Sequence, residues 1–106
     1  MHVEIPALTP AEPGRKTVVT VPVREGGSTV GSYALAAGEV VVVVVCSDGD
    51  LVVRLEPASV STVICPPGTV TPVRNVFRLL APQDVDVRVE APAGARWTLR
   101  IEQPDR

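Results

Sequence analysis

Cys46 and Cys65 are the two cysteines of this 106-residue chain, and their chemistry is the first that the sequence raises. Each closes an apolar stretch: Cys46 follows the unbroken valine run Val40 to Val45, and Cys65 follows Val60 to Ile64. Two thiols at the ends of strands in a small domain point to a disulfide, which stabilises chains too short for a large core. The alternative is two separate buried thiols, each behaving as a small apolar side chain. A metal centre is poorly supplied, because His2 is the sole histidine and a tetrahedral site wants four ligands.

Spacing carries the disulfide further. If the strands ending at Cys46 and Cys65 shared one meander with Leu51 to Glu56 between them, their ends would stand roughly 9 to 10 Å apart. A disulfide needs Cα atoms within about 7 Å. A bond therefore requires the Val60 strand to have crossed to an opposite sheet, or a turn that folds Cys65 back. Closing a loop of about twenty residues is worth roughly 3 kcal/mol in the chain-entropy model.

Other chemistry is thin. A nucleophilic triad needs an imidazole within reach of its serine or cysteine, and His2 sits at a terminus. Asp84 and Asp86 share a strand face and Glu56 ends another strand, so a carboxylate pair for glycoside hydrolysis can be drawn. They alternate with Arg88, however, as a solvated face does, and one Trp, one Tyr and one Phe leave little to stack a sugar. Asp48-Gly49-Asp50 has the look of a calcium loop but lacks the further regularly spaced oxygens and the closing glutamate, and turn chemistry accounts for it. Arg74, Arg78, Arg88, Arg96 and Arg100 alternate with acids and are not interleaved with aromatics, and the formal net charge is −2, which argues against nucleic acid. The sequence therefore predicts no catalytic residue, no metal and no cofactor.

The elements that position these residues are strands. Valine, threonine, glycine and proline are abundant while helix formers are few, and turn signals recur at short intervals, as in a sandwich. About eight strands are expected: Thr17 to Arg24, Ser28 to Ala36, Glu39 to Cys46, Leu51 to Glu56, Val60 to Cys65, Pro72 to Leu80, the alternation of Val85, Val87 and Val89, and that of Trp97, Leu99 and Ile101. Asp48-Gly49 is expected to close a hairpin between the valine strand and Leu51 to Glu56. Pro92-Ala93-Gly94 is expected to join the last two strands as another. A proline-rich leader, residues 1–14, and a tail, 103–106, flank one β-sandwich domain, 15–102. Neither a signal peptide nor a membrane-spanning stretch is read in the chain, since the valine run is far short of about 20 apolar residues.

Strand parity makes a claim about the valine run. If Cys46 points between the sheets, so do Val40, Val42 and Val44, and Val41, Val43 and Val45 point outward. An apolar outer row calls for a cover, by another protein, a second copy or the leader itself, unless valine is simply tolerated there. Trp97 shares its face with Leu99 and Ile101 and is expected in the core.

The order of a β-run ending in Cys46, a second run ending in Cys65, then Pro72-Val73-Arg74-Asn75-Val76-Phe77 and the closing Ala91-Pro92-Ala93-Gly94-Ala95-Arg96-Trp97-Thr98-Leu99 resembles small secreted or lipoprotein-type β-sandwich domains of actinobacteria. The resemblance covers Val40 to Glu102 and implies the fold, the disulfide and export; the lipoprotein-type cysteine is missing. The expectation is an all-β, two-sheet antiparallel sandwich of jelly-roll or immunoglobulin-like type with Cys46 bonded to Cys65. Its expected role is that of a non-enzymatic, secreted or cell-surface interaction module whose partner is another protein or a second copy. The apolar row Val41, Val43, Val45 or an open sheet edge would make the contact. For location the alternative is a virion or the cytoplasm, and for role the alternatives are a structural subunit of a larger assembly, such as a phage decoration protein or a secreted toxin complex component, and a carbohydrate-binding accessory domain. The last would need Trp97 and Tyr33 exposed in a groove.

Overall fold

The computed structural model describes residues 13–105. It contains eight strands: β1 (Arg15–Glu25), β2 (Ser28–Leu35), β3 (Gly38–Ser47), β4 (Leu51–Glu56), β5 (Ser59–Val63), β6 (Thr71–Leu79), β7 (Gln83–Glu90) and β8 (Arg96–Pro104). They are the strands that the turn signals mark, with ends moved by a residue or two. Of the leader, residues 1–12 lie outside the described residues, and Pro13 and Gly14 form the turn into β1.

Two antiparallel sheets of four strands, ordered β1-β8-β3-β6 and β2-β7-β4-β5, pack face to face. The pairs β1·β8, β2·β7, β3·β6 and β4·β5 form one long antiparallel ribbon whose tip is the β4–β5 turn. Rolling that ribbon adds the pairs β3·β8 and β4·β7 and closes the two sheets. This is jelly-roll topology. An immunoglobulin-like sandwich would instead place the first two strands side by side in one sheet.

Every connection except β4 to β5 crosses between the sheets. Both expected hairpins are therefore corrected: β3 pairs with β6 and β8 rather than β4, and β7 pairs with β2 and β4 rather than β8. The corrections have one physical reason. Alternating polarity tells which face of a strand is buried but not which strand lies beside it, and two apolar rows meet equally well across a sandwich as along a sheet.

The core is built from the inward rows, including Val40, Val42, Val44, Leu51, Val53, Leu55, Val85, Val87, Val89, Leu99 and Ile101. Trp97 is fully buried, and its Nε1 donates to Gly26 O at 2.9 Å, tying the β1–β2 arch to β8. The crossing of β4 and β5 to the second sheet brings Cys65 beneath Cys46, and the two form a disulfide with Cα atoms 5.7 Å apart. The tail is also corrected: β8 continues to Pro104, and buried Gln103 clasps the β2–β3 arch, its Oε1 accepting from Ala36 N at 3.0 Å and its Nε2 donating to Ala36 O at 2.9 Å. A buried amide bonded to backbone on both sides holds a strand end in place.

Candidate functional site

Three surfaces are available on a sandwich: its two outer faces and its open sides. On the outer face of the first sheet, β3 contributes Val41, Val43 and Val45, outside the core cluster that holds Val40, Val42, Val44 and Cys46. That row is nevertheless not open apolar surface: Val41 is 0% and Val45 8% exposed, and Val43 is half-buried. Beside it on β8, Thr98, Arg100 and Glu102 are buried too, with Arg100 Nε 2.5 Å from Glu102 Oε2. None of the eight strands lies over this face, since each belongs to one of the two sheets. The valine row thus offers a partner only the partly accessible Val43.

The outer face of the second sheet is a ladder of charge. Arg54 on β4 pairs with Glu90 on β7, Arg88 reaches Glu56 at 3.4 Å, and Ser32 Oγ donates to Asp86 Oδ1 at 2.5 Å. The hydrogen bond from Arg54 holds the Glu90 carboxyl below its ordinary value, and the same bond raises Arg54. A shallow groove of about 270 Å³ opens beside the bulge in β2, lined by Thr29, Gly31, Ser32, Glu56, Asp86, Val87 and Arg88. No aromatic ring lines it, and its carboxylates are engaged by neighbours. The acid pair drawn from the sequence is thus brought together, Glu56 opposite Asp86 across β4 and β7, as rungs of a solvated ladder.

The acids of Asp48-Gly49-Asp50 act as backbone acceptors. Asp48 Oδ1 accepts from Gly68 N and Asp50 Oδ1 from Cys65 N, each at 3.0 Å, which fastens the β3–β4 arch to the segment after β5. Among the described residues no group of three or more His, Cys, Asp or Glu is placed to hold a metal.

The open sides are set by the edge strands. β1 touches β2 at one side, so β6 and β5 edge the two sheets at the other. Exposed edges invite pairing, and bulges, short length and charge discourage it. β1 carries two register shifts along β8, β2 carries one along β7, and β5 is five residues long. β6 differs: its nine residues pair with β3 residue for residue from Leu79↔Gly38 to Thr71↔Cys46, with no shift. Its far edge has no partner strand among the described residues.

Exposed apolar side chains gather on this side. Val60 (54%), Ile64 (60%), Val76 (51%) and Leu80 (100%) all belong to β5, β6 or the residues just beyond them, and Val23 on β1 is the one large exposed hydrophobic elsewhere among the described residues. On β6 the outward row is Pro72, Arg74, Val76 and Arg78, all exposed. Sequence reasoning grouped Arg74 and Arg78 with Arg88, Arg96 and Arg100 and missed that these two share an edge. The available signal was that Thr71–Leu79 has two arginines and no carboxylate.

The fold and its surfaces define a disulfide-tied jelly-roll domain with one long regular edge. In comparisons with protein families, with curated proteins and with solved structures, nothing matched the chain.

Proposed function

We propose that this chain is a non-enzymatic, extracellular protein-interaction module that receives an extended segment of its partner along the free edge of β6. The observation that carries this is the contrast between edges: β6 is long and in unbroken register, while the other three are bulged or short. A straight edge presents a row of backbone N–H and C=O groups that an added strand can pair with, main-chain bonds supplying affinity and alternate side chains specificity. The Cys46–Cys65 bond supports an oxidising, extracellular setting. A carbohydrate-binding role finds less support, because Trp97 is fully buried, Tyr33 packs against the core and no aromatic ring lines the groove.

The test is a random-peptide display selection against the folded full chain, with amide exchange used to locate the binders. Enriched peptides should be extended, β-prone segments that slow exchange along β6. Binders that instead protect the groove around Ser32 and Asp86, or a selection that enriches nothing, would overturn the proposal.

A further inference from the structure

We infer that the strand received by β6 is an acidic segment of another protein, with carboxylates at the two positions opposite Arg74 and Arg78 and an apolar residue opposite Val76. This rests on the edge reading above. Pro72 lies inside β6 and has no N–H, and a proline fits a ladder with its nitrogen turned away from the partner strand. With a two-residue period, the N–H and C=O groups of Arg74, Val76 and Arg78 then point to the open edge. Their side chains share one face, so a strand added there sets three of its own alternate residues directly against them.

Charge selects among occupants. Of the eight strands, β6 alone carries arginine without a carboxylate, on a chain whose net charge is −2. Among the described residues no ion pair joins Arg74 or Arg78 to an acid, and Glu39, across from Arg78, is 2.9 Å from Arg15. A second copy is the wrong occupant: two antiparallel β6 edges centred on Val76 would set Arg74 against Arg78 of the other copy, and like charges directly opposed are unfavourable. The same two arginines thus discourage self-pairing and favour an acidic strand.

The experiment uses the full chain and three synthetic nine-residue peptides. They carry Glu, Val and Glu on one strand face with Thr between them, or the same pattern with Gln or Lys replacing Glu. Binding is followed by fluorescence anisotropy and by amide exchange. The Glu peptide should bind and slow exchange at Arg74, Val76 and Arg78, the Gln peptide should bind about tenfold more weakly, and the Lys peptide should not bind. Raising salt to about 0.5 M should weaken the Glu peptide alone. The double variant Arg74→Glu/Arg78→Glu should prefer the Lys peptide, whereas Lys16→Glu, a charge reversal on β1, should leave the order unchanged. Equal binding of Glu and Gln peptides would sink the acidic partner while leaving the edge in use. If none of the three slowed exchange along β6, the inference would fall, and display binders that also avoided β6 would take the edge reading with it.

Discussion

Gly49 is where a single residue decides the path of the chain. Its φ of +150° lies outside the range that L side chains favour, and Asp48 before it has φ of 63°. A Cβ at Gly49 would stand 2.7 Å from Pro92 Cγ and 2.9 Å from Ala95 Cβ, so the β3–β4 arch packs directly against the β7–β8 arch. Glycine is required here by backbone and by space together. Gly49→Ala should lower stability by about 2 to 4 kcal/mol, read as a fall in the denaturant midpoint at unchanged slope. Asp-Gly was legible as a turn; that the turn leads to the other sheet was not. Ser47, Asp48 and Asp50 spend their side chains on local and cross-arch bonds, an arrangement that local propensity cannot distinguish from a two-residue hairpin.

At the scale of the element, β8 shows how far alternation can be trusted. Its inward row, Trp97, Leu99 and Ile101, follows the pattern that the sequence predicts. Its outward row is polar as expected, yet Thr98, Arg100 and Glu102 are buried beside Val41 and Val45. A buried charge pair contributes little net stability but is costly to break, since removing one member leaves the other in a poorly solvated site. Glu102→Ala should therefore cost about 2 to 4 kcal/mol, and the double variant Arg100→Ala/Glu102→Ala should recover part of that loss in a double-mutant cycle. The edge strand β6 has the opposite character. Its alternation is legible as TPVRNVFRL, but a central strand and an edge strand can share such a pattern, so its open side appears only once the neighbours are placed. For that reason Arg74 and Arg78 looked like members of a dispersed arginine set.

Across the whole molecule, the disulfide joins the two sheets rather than two strands of one sheet. It links the end of β3 to the residue two beyond β5, nineteen positions apart. Reduction, or Cys46→Ser/Cys65→Ser, should remove roughly 3 kcal/mol of stability through the entropy returned to the unfolded chain, seen as a lower thermal midpoint in the presence of reductant. Thiol titration of the native protein should find no reactive cysteine, as both are bonded.

By itself the sequence determined the all-β class, the eight strands, the inward rows and the condition on the disulfide: a spacing of nineteen residues with one strand between required either a crossing to a second sheet or a turn that folds Cys65 back. Those follow from local sterics, period-two burial and the reach of a covalent bond, all of which act on residues near in sequence or on fixed distances. Only the tertiary structure decided that nearly every arch crosses the sandwich, that the outer valines are buried, and that β6 is the long straight edge. These depend on which strands become neighbours when the ribbon rolls. The pairing of β3 with β8 and of β2 with β7 joins segments far apart in the chain, and no local signal at either one names the other.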